Sequence, residues 1–358
     1  MKSPIKSPIS HQVYHWLFVL LLIGVFLFVT FMSNGKGFKQ FEANFYKSSF
    51  LIENFNRLRM KLGDRVFPSV LIANDGWMEY TAEKNLDDYQ NAVNFSPETL
   101  QVAAERIQAC YQYARERNIT FLIAVAPNKA SIYPEKVPQQ IQPLSSLSRL
   151  DQLNHYLRTQ HIPEVLDLRP ALQHARQERD VYHKWGTHWN EYGAYAGYGT
   201  IINVLSRDYP DLKPYSAKFL RFRSASRPGT SRKDQALAGL IQANYLPPEP
   251  SVFAARDLQS IAYHIDFGNE FLDYHEISWI PESQLPSLLV FHDSFGNFGL
   301  NKFLALNFSK VSYVHRGSSH VYLNRKLMDQ FSPDIVIYEV VERYLYLLPN
   351  DLLGCTTD

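Results

Sequence analysis

The chain has 358 residues, with 36 lysines and arginines against 35 acids and a formal charge of +1. That balance leaves no basic footprint for general nucleic-acid binding, and 46% apolar with 20% charged residues excludes a disordered chain. Two cysteines, Cys110 and Cys355, exclude a disulfide framework and a Cys-rich zinc site, leaving room for at most one bridge.

Residues 1–13 are expected to form a cytoplasmic N-terminus. Trp16 to Met32 then run without a charge, and with Val13 and Tyr14 they approach the ~20 residues that cross a hydrocarbon core. A cleaved signal would carry a shorter apolar run followed by small residues. The expectation is therefore an uncleaved anchor over 14–32. Lys2 and Lys6 precede it and Lys36, Lys39 and Lys47 follow it, so the flanking charges leave its orientation open. Residues 33–65 read as a polar, partly helical stalk, with Phe38, Phe41, Phe45 and Leu51 near helical spacing.

Residues 66–358 carry the pattern of one folded domain. Ser69 to Ala73 reads as a strand ended by the turn Asn74-Asp75-Gly76. Ser96-Pro97 opens a helix to about Arg117, with a capping hydroxyl and proline at the first helical position. Its stripe is Leu100, Ala104, Ile107, Tyr111 and Ala114; Cys110 beside it is expected to be a buried thiol. Thr120 to Ala126 is a continuous apolar run, the mark of a strand covered on both faces, and Leu288 to Phe291 and Ile335 to Val341 read as two more buried strands. Val165 to Leu168 is a shorter strand, and Asn190 to Ser206 a helix. Helices alternating with such strands predict an α/β fold with a mostly parallel sheet. The polar and proline-rich stretch 216–258 is read as a long excursion near the active-site face.

Ligands collect beyond the carboxyl ends of parallel strands, and three such ends carry reactive residues. Ser294 follows a buried strand in His292-Asp293-Ser294-Phe295-Gly296, well placed for a nucleophile beside N–H groups that can face an oxyanion. Asp-Ser also fits a plain helix cap. His183 and His188, in Tyr182 to Asn190, offer imidazoles that suit proton removal near neutral pH. Their spacing matches no common metal-ligand pair, so no metal is expected. Asn128 and Lys129, after the third strand, suit an oxyanion donor and a contact to an anionic sugar; a turn with a solvated lysine explains them equally well. Gly317-Ser318-Ser319-His320 reads as a polar loop, because adjacent serine and histidine side chains rarely face each other.

Together Asn74 to Met78, Val125 to Lys136, Gly186 to Asn190, His292 to Phe295 and Pro333 to Arg343 resemble the AlgX/AlgJ-like family of polysaccharide O-acetyltransferases. The resemblance implies a three-layer SGNH-hydrolase-like domain, with one transmembrane helix before it. It implies Ser294 as nucleophile and His188 as base, with Asn128, Lys129, Trp189 and Arg343 as oxyanion or substrate residues. No cofactor follows from it: a membrane-bound O-acyltransferase partner would deliver the acetyl group, and a polysaccharide would accept it. The implied location is the cytoplasmic membrane, with the domain facing the periplasm or cell exterior. One position departs from the pattern. Gly186 stands where the family often has an aspartate that orients the histidine, so the expected orienter is Asp180 or Asp167, with a backbone carbonyl or an inactive site as the alternatives. An acetyl esterase or a non-catalytic glycan-binding subunit on the same scaffold are the rival readings.

Overall fold

A computed structural model of the protein describes residues 11–32, 49–225, 236–243, 245–247, 249–266, 276–315, 323 and 325–356. They fall into two units, Met1–Gly63 and Asp64–Asp358.

The first unit holds helices α1 (His11–Met32) and α2 (Ser49–Lys61). α1 contains no acid, lysine or arginine and has 22 residues, a length of about 33 Å at 1.5 Å per residue. Its large apolar side chains between Trp16 and Phe28 are exposed. Among the described residues no helix is long and apolar enough to cross a membrane. Phe38, Phe41 and Phe45 of the expected stalk lie outside the described residues.

The second unit opens with a small antiparallel sheet of β1 (Val66–Phe67), β2 (Val70–Ile72) and β3 (Met78–Tyr80). There follow α3 (Pro97–Arg115), β4 (Thr120–Ala126), α4 (Arg149–Thr159), β5 (Leu166–Asp167), α5 (Arg169–Ala175) and α6 (Glu191–Leu205). β6 (Phe222–Ala225) and β7 (Ser251–Ala254) pair as an antiparallel hairpin-like ribbon. β8 (Tyr263–Asp266), β9 (Glu276–Trp279), β10 (Leu288–His292), β11 (Lys310–His315), α7 (Arg325–Phe331) and β12 (Ile335–Val341) complete the domain.

The main sheet has seven strands in the order β5-β4-β12-β10-β11-β9-β8. It is parallel from β5 through β11, and β9 and β8 add an antiparallel edge. The sheet is thus mixed. The sequence reading lacked β8, β9 and β11. Each of the first two has four residues; β8 is the exposed edge strand, and β9 beside it is only partly buried.

Alternation along the strands separates two cores. Leu122, Ala124 and Ala126 of β4 join Leu288, Val290, Ile335 and Ile337 on the face that packs α5 and α6. Phe121, Ile123 and Val125 join Leu289, Phe291, Val336 and Tyr338 on the face that packs α3 and α4. Because side chains alternate at every residue, an apolar strand buried on both sides requires a helix layer on each. This is the three-layer arrangement expected. The excursion 216–258 does approach the loop before α6: Leu237 N–H donates to Trp185 C=O, and the Glu249 carboxylate accepts from the N–H groups of Lys184 and Trp185.

Ser96 caps α3, accepting from Thr99 N–H at 3.1 Å. The buried face of α3 is Ala103, Ala104, Ile107, Cys110, Tyr113 and Ala114. Cys110 is not a thiol there: it forms a disulfide with Cys355, 245 residues away, and both are fully buried. A crosslink restricts the unfolded chain more as its loop lengthens. Replacing either cysteine by alanine should therefore cost about 2–5 kcal/mol, read as a lower denaturant midpoint with an m-value that rises as the unfolded chain expands.

Candidate active site

Ser294 opens a helical turn directly after β10, and β10 lies between β12 and β11 at the middle of the sheet. The turn is fixed from below by Asp293. Its Oδ1 accepts from Phe295 N–H at 2.8 Å and its Oδ2 from Val341 N–H at 2.7 Å, so one carboxylate ties the serine turn to the end of β12. Asp293 N–H in turn donates to Glu339 Oε2 at 3.2 Å. Beside it, neutral His292 is pushed down to about 3 by burial. Its Nδ1 pairs with Asp293 C=O at 2.8 Å and its Nε2 with Asn301 Nδ2 at 3.1 Å. A Cβ on residue 296 would sit 2.4 Å from His292 Nδ1, so only glycine lets the chain pass there.

His188 arrives from the other side of the sheet edge. Tyr182 and Trp189 form a β-bridge, which folds 182–189 into a narrow loop. Asn190 closes it by capping α6, accepting from the N–H groups of Tyr192 and Gly193. His188 Nε2 lies 2.9 Å from Ser294 Oγ. The imidazole is stacked on Phe298, with centroids 3.7 Å apart and planes 5° apart, and Phe295 tilts against it at 5.1 Å. Burial drives the His188 pKa well below the ordinary 6.5, and Arg343, His183 and Lys129 push it further. The ring is therefore neutral and able to accept a proton. Ser294 is half-buried, and its turn borders a groove of about 580 Å³ lined by Asn297, Asn301, Lys302, His264, Glu276 and Tyr313.

The structure brings Ser294 and His188 together and moves the other expected residues elsewhere. Asp167 lies on Arg169, at 2.8 Å, and the Asp180 carboxylate accepts from Tyr133 O–H at 3.3 Å. Neither reaches His188, whose buried Nδ1 has no hydrogen-bond partner among the described residues. Gly186 is not among the glycines with positive φ, so its backbone angle is open to any residue. Asn128 is fully buried and turned away: its Nδ2 donates to Asp88 Oδ2 at 2.6 Å and its N–H to Glu342 Oε2 at 3.0 Å. Trp189 is fully buried, packing on Phe295 and donating Nε1–H to Phe295 C=O at 3.0 Å. It is a brace between α6 and the serine turn, not a substrate contact. The 317–320 loop lies outside the described residues.

Lys129 is also a brace. It is buried, and its Nζ donates to the carbonyls of Met78, His183, Lys184 and Gly186, with Glu79 Oε1 at 4.0 Å. Burial lowers its pKa, but four carbonyl acceptors fit an ammonium, which has three donors and no lone pair. Arg343 alone of the four expected substrate residues faces the reactive pair. Its Nε donates to Glu83 Oε2 at 3.2 Å and its guanidinium carbon lies 5.6 Å from the Phe295 ring.

Two functional residues escaped the sequence reading. Phe298 lies just past the serine motif, between Gly296 and Gly299. Glu339 sits inside the apolar run of β12, and that lone ionisable residue was the signal for it. Burial and the charge of Asp293 hold the Glu339 carboxyl protonated, well above its ordinary 4.5. The folded state thus keeps a proton that the unfolded chain releases above 4.5, so stability falls as pH rises through that window. Glu339→Gln keeps an acceptor for Asp293 N–H without the ionisation. The melting temperature of this variant should gain on the parent between pH 5 and pH 8, and a constant difference across that range would contradict the assignment.

A layered α/β domain with a serine–imidazole pair at the carboxyl end of its central strands is of the SGNH-hydrolase-like class. Residues 70–266 match the family described as the SGNH hydrolase-like domain of acetyltransferase AlgX, and the chain belongs to that family. The match includes His188 and ends before Ser294. A protein described as a probable alginate O-acetylase AlgJ from Azotobacter vinelandii is 25% identical over 260 residues; these are 66% of this chain and 62% of the relative. Among solved structures, PatB1 of Bacillus cereus, determined with a sulfonyl adduct, has a TM-score of 0.53 at 17% identity. That likeness covers 77% of this chain and 94% of PatB1. A DHHW family protein from Eubacterium siraeum scores 0.52 at 13% identity, covering 80% and 97%. These likenesses bear on the fold.

Proposed function

We propose that the protein is an O-acetyltransferase that moves acetyl groups onto a polysaccharide through an acetyl-serine. The observation that carries this reading is the 2.9 Å contact between a neutral, buried imidazole and a half-buried serine at the carboxyl end of the sheet. The family and its AlgJ relative support acetyl transfer as the chemistry.

Ser294 Oγ attacks the acetyl carbonyl while its proton passes to His188 Nε2. The bond to the donor's leaving group breaks, and that group takes the proton from His188. An acceptor hydroxyl then attacks the acetyl-serine carbonyl and gives its proton to His188, and Ser294 Oγ leaves, taking that proton back. Each attack builds an oxyanion. The N–H of Ser294, at the start of a helical turn, lacks an intrahelical acceptor, and Arg343 supplies positive charge. The groove beside Asn297 and Lys302 has the size for sugar rings of the acceptor.

α1 is the membrane anchor in this reading. It is uncharged over its length and its apolar side chains are exposed. The domain after it lies outside the cytoplasm, where a membrane-bound O-acyltransferase passes it acetyl groups, and no cofactor is required. A reporter fused after residue 358 should be active only in its exported form, with α1 retained in the mature chain. Activity of a cytoplasm-specific reporter there would reverse the topology.

A second reading, a non-catalytic glycan-binding subunit, rests on His188 Nδ1 having no acid. Turnover of a chromogenic acetyl ester separates the two, and added polysaccharide then separates transfer from hydrolysis. Ser294→Ala and His188→Ala should each lower turnover by about 10³-fold or more, since the pair acts as a unit. The base must be neutral, and its pKa is depressed, so the acid limb of the rate profile should lie below pH 6.5. Turnover of the parent at the level of Ser294→Ala would favour the second reading.

A further inference from the structure

In a serine–histidine pair the imidazole must keep one orientation. Its Nε2 has to stay on the hydroxyl, and rotation about the Cβ–Cγ bond carries it away. An acid hydrogen-bonded to Nδ1 ordinarily prevents that rotation and fixes the tautomer. Here Gly186 supplies no acid, Asp167 and Asp180 are engaged elsewhere, and Nδ1 has no partner among the described residues. Yet Nε2 lies within hydrogen-bond distance of Ser294 Oγ. Something else defines the ring plane.

Phe298 covers one whole face of the imidazole. The rings are parallel within 5° and 3.7 Å apart, which is face-to-face van der Waals contact. Phe295 closes in at 60° and 5.1 Å. An imidazole held against a parallel ring cannot turn without driving its edge into that ring.

The placement of Phe298 is built into the chain. Residues Gly296–Leu300 form a kink between two helical turns, in which Phe298 (φ −85°, ψ 44°) and Gly299 (φ +118°, ψ −28°) leave helical geometry. Gly299 takes φ +118°, and a Cβ there would lie 2.9 Å from the Ala194 Cβ of α6. Gly296 passes against His292, where a Cβ would collide at 2.4 Å. The two glycines let the turn sit on the start of α6, next to the loop that carries His188. Asn297 beside Phe298 is exposed, and Phe298 itself is half-buried at the margin of the core, with its ring face on His188.

We propose that Phe298 is the positioning residue of this site: by stacking on His188 it holds Nε2 against Ser294 Oγ, in place of the hydrogen-bonded acid that Gly186 lacks. The inference rests on the reading of Ser294 and His188 as a reactive pair. The phenyl face also attracts an imidazolium more than a neutral ring, so it favours the protonated intermediate as well as the orientation. That attraction opposes the other groups facing His188. Arg343, Lys129 and His183 each disfavour its protonation, and no carboxylate adds to it.

The test uses the full chain and phenylmethylsulfonyl fluoride as a probe. This reagent sulfonylates an activated serine with loss of fluoride and needs neither the acetyl donor nor a sugar. Labelling of Ser294 is followed by mass spectrometry from pH 4 to pH 9, in the parent, Phe298→Leu and Phe298→Tyr, each checked by melting temperature. Phe298→Leu keeps apolar bulk and removes the flat face. Its pH-independent rate should fall by about 10²-fold, the scale of a small misplacement of a reacting group. Phe298→Tyr restores the face and should stay within about threefold of the parent. A structural role alone would lower the melting temperature of Phe298→Leu and leave the plateau rate unchanged, which overturns the proposal. So does a Phe298→Tyr rate as low as that of Phe298→Leu. A parent not labelled at Ser294 at any pH overturns the reading of the pair itself, and Phe298 with it.

Discussion

The two oxygens of Asp293 hold the site together. One takes the N–H of Phe295 and the other the N–H of Val341, so the serine turn is bound to the neighbouring central strand and not left as a loop at the end of its own. Everything nearby depends on that clamp. Phe295, fixed by it, packs the Trp189 ring and accepts its indole N–H. Trp189 in turn ends the loop whose preceding residue is His188. A charged clamp in the interior is tolerated because each oxygen has a main-chain donor, and because the adjacent Glu339 stays protonated. Two ionised carboxylates so close would repel each other.

Most of the fold was legible because burial on both faces leaves a plain trace. β4 stands as a continuous apolar run and β12 as one interrupted only by Glu339, and their bounds in the structure are those of the runs. α3 and α6 announce themselves through Ser96-Pro97 and Asn190. β8 and β9 left no such trace. Tyr263, His264 and Ile265 of the edge strand are all exposed, so no buried face marks them, and Tyr263-His264-Ile265-Asp266 reads equally well as loop. The phase of α3 was displaced for a related reason: Ala103 and Tyr113 face the core while Leu100 and Tyr111 only flank it. Periodicity locates a helix more firmly than its angle of rotation.

The site was legible in part. Serine after a buried strand and histidine before a capped helix are positional signals, and the sheet brings those two positions together. The fate of Asn128, Lys129 and Trp189 could not be read in the same way. Amide, ammonium and indole groups serve equally as ligand contacts or as partners for buried main-chain groups. Only the acceptor they meet distinguishes the two, and in each case that acceptor is the protein's own. The stacking of Phe298 was invisible because a phenylalanine in a glycine-rich turn gives no hint of which ring it meets.

The Lys129 ammonium, ringed by the carbonyls of Met78, His183, Lys184 and Gly186, takes the coordination that a bound alkali-metal ion has in other loops. Here the cation is tethered by its own side chain. It cannot exchange with the medium, be removed by a chelator or be displaced by a competing ion. The loop that carries His188 is thus tied to β3 by a cation that is part of the chain itself.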